Sequence, residues 1–198
     1  DLALSMLSRI ENENRPGYIS YFSRNKKGEP LKAATIAIRG VGGQGNLFFG
    51  KVLAQVAFLA GYDDRNILKG ETHGMAQMGG PVISTFGCGE VFSPALVPGT
   101  ANVLIAMEKA EVLRPGFLDL LEPGGTVLMA DTRILPHGLK PEAYPSDEAI
   151  AAQLEGYRVV SVDVLSIALN LGDPKGRCAN VAMLGVLSTL PPFDVVPE

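Results

Sequence analysis

Two short stretches carry residues whose types and spacing could do chemistry. The first is Gly40-Val-Gly-Gly-Gln-Gly45, which satisfies G-x-G-x-x-G through Gly40, Gly42 and Gly45. Glycines so placed permit a tight turn and let a ligand approach backbone N–H groups at a positive helix end. Such a loop reads a dinucleotide when an acid ends the following strand, roughly 20 residues on. Asp63 and Asp64 stand at about that distance but precede the next strand, Ile67-Leu68, and Glu71 follows it too late. The misplaced acid argues against a nicotinamide cofactor. Helix–strand packing, or contact with another chain, accounts for the glycines as well.

The second stretch is Glu71-Thr-His-Gly-Met-Ala-Gln-Met-Gly-Gly-Pro81. Gly74, Gly79 and Gly80 make its backbone pliable, while Glu71, His73 and Gln77 offer an acid, an imidazole and an amide. A histidine two residues from a glutamate could relay a proton. Both side chains could equally hydrogen-bond their own loop or a neighbouring subunit. The sequence holds no Ser/His/Asp set, P-loop or HExxH motif. Cys88, in an apolar run, reads as a small core residue rather than a nucleophile. Cys88 and Cys178 stand far apart without a CxxC, and His73 and His137 are the only histidines. No metal or iron–sulfur site is expected from this chain alone.

Alternating strands and helices must position these stretches. Ala34–Gly40 reads as a buried strand, followed by a helix over Leu47–Gly61 with Phe48, Val52, Val56 and Leu59 at helical spacing. Ile67-Leu68 is a short strand, and Pro81–Gly87 with Val91-Phe92-Ser93 flanks Cys88-Gly-Glu90 as a hairpin. Ala101–Met107 is a strand, followed by a helical stretch to Leu121 that Pro115-Gly116 interrupts. Glu122-Pro-Gly-Gly reads as a turn, Thr126–Ala130 and Arg158–Val162 as strands, and Val164–Leu171 and Val181–Leu190 as helices. The expected fold is α/β: three-layer and Rossmann-like, with a mostly parallel sheet and one antiparallel hairpin. It occupies residues 34–198. Residues 1–33 carry six cations against four anions, with Tyr18, Ile19, Tyr21 and Phe22 clustered after Pro16-Gly17. They are expected to form an N-terminal extended arm that packs on something else.

Composition bounds the rest. With 198 residues, 46% apolar and 19% charged, the chain suits one globular domain plus an appendage. A net charge of −4 gives no general attraction to nucleic acid or anionic lipid. The charge-poor run Val91–Met107 is too short, and too broken by Pro94, Pro98 and Gly99, to span a bilayer. The opening Asp1-Leu-Ala-Leu-Ser5 has no basic start before an apolar block, so a cytoplasmic, reduced setting is expected.

Taken in order, Val41-Gly-Gly-Gln-Gly45, Glu71-x-His-Gly-Met-x-Gln-x-Gly-Gly-Pro81, Phe92-Ser-Pro94, Glu122-Pro-Gly-Gly-Thr126 and Asn180-x-x-Met-Leu-Gly185 closely resemble one family. It is the gamma subunit of thiamine-dependent 2-oxoacid:acceptor oxidoreductases, the indolepyruvate branch in particular. The likeness runs from about Ala34 to Leu190. Residues 1–33 are not part of the pattern, Met78 stands where many relatives carry Arg, and relatives usually continue beyond Pro197-Glu198 into a further helix.

The resemblance implies a complex that decarboxylates a 2-oxoacid, an aryl one on this branch, and passes the acyl group to coenzyme A. Electrons would leave through [4Fe-4S] clusters to ferredoxin or another acceptor. Alpha and beta subunits would hold thiamine diphosphate and Mg2+, ferredoxin-like subunits the clusters, and a flavoprotein subunit is compatible with the scheme. This chain would contribute no catalytic residue of its own. Glu71, His73 and Gln77 would line a cavity, and Gly42, Gly43, Gln44 and Gly45 would bind coenzyme A phosphates. Two alternatives remain beside it: a self-contained NAD(P)-binding dehydrogenase, and a non-catalytic nucleotide-sensing or scaffold module.

Overall fold

A computed structural model describes residues 33–71, 80–135, 138 and 140–193. Six strands form one sheet: β1 (Ala34–Val41), β2 (Ile67–Glu71), β3 (Pro81–Cys88), β4 (Ala101–Ala106), β5 (Leu121–Ala130) and β6 (Arg158–Val162). Their order is β2-β3-β1-β4-β5-β6. β1, β4, β5 and β6 are parallel, while β3 runs antiparallel to both of its neighbours, β1 and β2. β3 alone is therefore reversed, and the mixed, mostly parallel sheet is the one expected.

Helices α1 (Asn46–Leu59), α3 (Val164–Asn170) and α4 (Ala179–Leu187) cover one face. On the other lie α2 (Asp147–Gln153) and two 3-10 turns, Lys109–Leu113 and Leu118–Leu120. Side-chain alternation along β1 feeds both cores. Ile36 and Ile38 join Phe49, Leu53, Met183 and Leu187 on the first face. Ala37 joins Leu104, Phe117, Val127 and Ile150 on the second. Each large side chain fully buried this way contributes roughly 1.5–3 kcal/mol of transfer free energy. The three-layer arrangement follows directly from that alternation.

Several local expectations are corrected. The antiparallel hairpin exists, but its strands are β2 and β3, paired from Ile67↔Cys88 to Glu71↔Ser84. Val91–Ser93 forms no strand, because both edges of β3 are already taken by β1 and β2. Gly89, at φ 90°, turns the chain away instead, and the Pro94 carbonyl accepts the Thr85 hydroxyl at 2.5 Å. Glu122–Gly125 lies inside β5 as a bulge rather than between elements, with the register against β4 shifting between Ala101 and Val103. The helical stretch before Leu121 is reduced to the two 3-10 turns, split by Pro115-Gly116 with Gly116 at φ 77°. α2 is a further helix beyond those the sequence pattern predicts; Ser146 caps it by accepting the Ala149 N–H at 3.2 Å.

α1 forms where expected, but with its faces exchanged. The buried side chains are Phe49, Leu53 and Ala57, whereas Phe48 is 50% and Leu59 80% exposed. This helix carries apolar stripes on more than one side, so spacing alone could not choose between them. The N-terminal arm expected over 1–33 lies outside the described residues except for Ala33.

Candidate functional site

In open α/β sheets, ligands bind outside the carboxyl ends of the strands where the chain's direction of travel reverses. Here that point lies at β1, which has β3 on one side and β4 on the other. The loop from β1 into α1 is Gly40–Gly45, and its conformation is fixed from within. Gln44 Oε1 accepts the Val41 N–H at 2.8 Å, and Gln44 Nε2 donates to the Met107 carbonyl at 2.7 Å. One side chain thus joins the ends of β1 and β4. Gly40 is glycine for lack of room: a Cβ there would lie 2.8 Å from Gln44 Oε1 and 3.0 Å from Met107 Cβ.

Gly43 and Gly45 take positive φ, 99° and 83°. A Cβ on Gly43 would face open space, while one on Gly45 would lie 2.6 Å from Asn180 Nδ2. Gly45 caps α1 without a side-chain acceptor, so the first-turn N–H groups point toward the loop with no cap. Asn46, the first residue of α1, is only 4% exposed, and neither its amide nitrogen nor its amide oxygen has a hydrogen-bond partner. That buried, unpaired amide is the feature sequence reading missed; an Asn directly after Gly45 reads as an ordinary capping residue. The loop offers uncapped N–H groups, a polar floor and an open side. It can hold an anionic group.

The second motif meets the first at its Gly80-Pro81 end. The Gly42 N–H donates to the Gly80 carbonyl at 2.9 Å, and Val41 pairs with Pro81. Glu71 closes β2 beside α1: its Oε1 lies 4.0 Å from the position of a Cβ on Gly50, and Lys69 Nζ is 3.5 Å away. His73 and Gln77 lie outside the described residues.

Other candidates are accounted for locally. Asp63 accepts from the Arg65 N–H at 3.0 Å and pairs with its guanidinium at 2.9 Å, holding the carboxyl down to about 2. It caps a 3-10 turn, Asp64–Asn66, ahead of β2 and is thereby engaged away from a ribose-reading position. Cys88 is 3% exposed, and burial pushes its thiol up to about 12, so it is a core residue. Among the described residues, no group of three or more His, Cys, Asp or Glu side chains could hold a metal ion.

A cavity of about 270 Å³ opens beyond β1 and β4, lined by Val41, Glu108, Glu111, Arg114 and Tyr144 among others. Glu108 accepts the Tyr144 hydroxyl and, at 3.4 Å, the Ile134 N–H; burial raises its carboxyl above the ordinary value. Glu111 accepts from Arg114 Nε at 3.0 Å and stands 3.7 Å from Arg39 Nη1. The Arg39 guanidinium lies 5.5 Å from the Phe117 ring centroid. The acids and cations face each other here, which locks the segment after β4 onto β1.

With this geometry in place, the kinship is plain. The chain belongs to the pyruvate ferredoxin/flavodoxin oxidoreductase family, whose profile matches residues 35–198. It is a subunit of an oxidoreductase complex and so partners other subunits. It is 35% identical, over 156 residues, to indolepyruvate oxidoreductase subunit IorB of Archaeoglobus fulgidus, covering 77% of this chain and 74% of that one. Its fold is similar to that of the crystallised pyruvate oxidoreductase subunit PORC of Thermotoga maritima. There the TM-score is 0.57 at 22% identity, over 82% of this chain and 78% of the other. It is also similar to 2-oxoglutarate:ferredoxin oxidoreductase of Magnetococcus marinus, solved with 2-oxoglutarate, coenzyme A and succinyl-CoA bound. That likeness has a TM-score of 0.51 at 19% identity, over 79% of this chain but 24% of the other. No helix among the described residues is long and apolar enough to cross a membrane.

Proposed function

We propose that this chain is the gamma-type subunit of a cytoplasmic, thiamine-diphosphate-dependent oxidoreductase that converts an aryl 2-oxoacid to its acyl-coenzyme A. Electrons pass to ferredoxin or another acceptor. The observation that carries this reading is the 35% identity to an indolepyruvate oxidoreductase subunit across three quarters of both chains. The geometry supports it, because the glycine loop and the Gly80-Pro81 end of the second motif meet at one rim through Gly42 and Gly80.

Within that complex, Gly42, Gly43, Gln44 and Gly45 hold the phosphates of coenzyme A. The fit is favourable: Gly43 is open, α1 is uncapped, and the Asn46 amide is buried without a partner. Coenzyme A supplies the thiol that accepts the acyl group; the loop only binds and orients it. Glu71, His73 and Gln77 border the passage for substrate or coenzyme A. The described residues do not fit thiamine diphosphate with Mg2+ or an iron–sulfur cluster, since they offer no cluster of metal-ligating side chains. Those groups fall to the alpha, beta and ferredoxin-like subunits. The nicotinamide reading is not favoured, with Asp63 engaged by Arg65.

The test is dye reduction by the intact complex, with and without coenzyme A, across indolepyruvate, phenylpyruvate, phenylglyoxylate and pyruvate. Coenzyme-A-dependent turnover fastest with an aryl 2-oxoacid is expected. Faster turnover of pyruvate would overturn the substrate class, and turnover indifferent to coenzyme A would overturn the reaction.

A further inference from the structure

The three helices on the first face of the sheet are unusual for a surface layer. α1, α3 and α4 contain a single charged residue between them, Lys51, and α4 has one polar side chain, Asn180. A helix apolar on all sides belongs inside an assembly. Of the twelve large apolar side chains exposed among the described residues, eight lie on these helices or at the end of α3. Phe48 is 50%, Val181 54% and Leu169 60% exposed. α2, on the opposite face, exposes none and begins with Asp147 and Glu148.

The apolar layer is continuous with the glycine loop. Asn180 lies against Gly45, Leu47 and Phe48 follow Gly45 on α1, and Val181 follows Asn180 on α4. Exposed apolar side chains therefore rim a loop that is itself open at Gly43. The occupant is indicated by the longer relative. In the 2-oxoglutarate:ferredoxin oxidoreductase chain, this fold matches only 24% of the polypeptide, so the remainder is tethered to it. We infer that the α1–α4–α3 layer is the docking face for a larger polypeptide of the same complex, and that this cover closes the glycine loop. The inference rests on the reading under Proposed function. The layer's single charge fits a largely apolar protein surface rather than a charged one.

Co-expression with the partner subunits, one of them tagged, tests this. Phe48→Glu combined with Val181→Glu should lower retention of this chain on the tagged partner at least tenfold, and Leu169→Glu should lower it also. Val97→Glu, at a site 64% exposed outside the layer, should be retained like wild type. Circular dichroism of each isolated variant checks its fold. If the double variant unfolds, hydrogen exchange of wild type decides: 46–59 and 179–187 should gain protection in the complex. Normal retention of the folded variants, or no gain in protection, overturns the docking face alone. Failure of wild type to be retained overturns the subunit reading with it. Self-association of the isolated chain that the variants abolish, or its binding to phosphatidylcholine vesicles, would assign the layer to another occupant and overturn the inference.

Discussion

The Gln44 side-chain amide donates to the Met107 carbonyl at 2.7 Å, so the loop after β1 is fastened to the end of β4 across the point where ligands enter such sheets. Its Oε1 simultaneously accepts the Val41 N–H. Gln44→Ala strands both backbone groups and should cost about 1–3 kcal/mol. A chain of this size loses roughly 2–4 °C of melting temperature per kcal/mol, which thermal denaturation reads directly. An unchanged melting temperature would mean that the bridge is dispensable.

Gly43 and Gly45 share a left-handed backbone but not their surroundings. Gly43→Ala should cost about 1 kcal/mol, the price of the backbone alone. Gly45→Ala should cost more, roughly 2–4 kcal/mol, because Asn180 must also move. Adding Asn180→Ala should recover part of the Gly45→Ala loss but none of the Gly43→Ala loss. Denaturant midpoints of these four variants and of Asn180→Ala alone complete the two cycles.

Burial raises the Glu108 carboxyl above its unfolded value of about 4.3. Between the two values the folded chain holds the proton that the unfolded chain has released. Stability from this group is therefore full below about pH 4.3 and declines as pH rises toward the folded value. Glu108→Gln can still accept the Tyr144 hydroxyl but cannot ionise. Its stability relative to wild type should improve from pH 4 to pH 8; a difference flat with pH would dissociate Glu108 from the effect.

His73→Ala and Gln77→Ala test the second loop in the assembled complex. Loss of one polar contact at such a site is worth roughly 1–3 kcal/mol, or about 10- to 100-fold in turnover. Each variant should assemble normally. Wild-type rates from both would reduce the loop to packing.

Deleting residues 1–30 should weaken assembly while leaving the melting temperature of the isolated chain unchanged. Tyr18, Tyr21 and Phe22 are of the type that anchors interfaces. A deletion that unfolds the chain would assign the segment to the core.

Most strands were legible as short apolar, β-branched runs, and those of β1 and β3 stop at Gly40 and Gly87. Their partners were not, since pairing is settled by which edges remain free: β3 could not take Val91–Ser93 once β1 and β2 flanked it. The faces of α1 were exchanged because Phe48, Val52 and Val56 form as good a stripe as Phe49, Leu53 and Ala57. At the site, the glycines announced a turn, but Asn46 and the Glu108–Tyr144 contact depend on burial that spacing does not encode.

Reversal of β3 has an architectural consequence. Had β3 run with its neighbours, the chain leaving β2 would have crossed the whole sheet before Pro81, carrying the second motif to the far rim. The reversed strand instead sets the end of β2 and the start of β3 on the same rim of the sheet, with Pro81 paired to Val41 at the glycine loop. Loop-closure entropy rises by only about 0.6 kcal/mol for each doubling of length. The pairing of β2 with β3 therefore tolerates changes in the length of the Glu71-to-Pro81 connection, since the ladder from Ile67↔Cys88 to Glu71↔Ser84 holds the two strands together by itself.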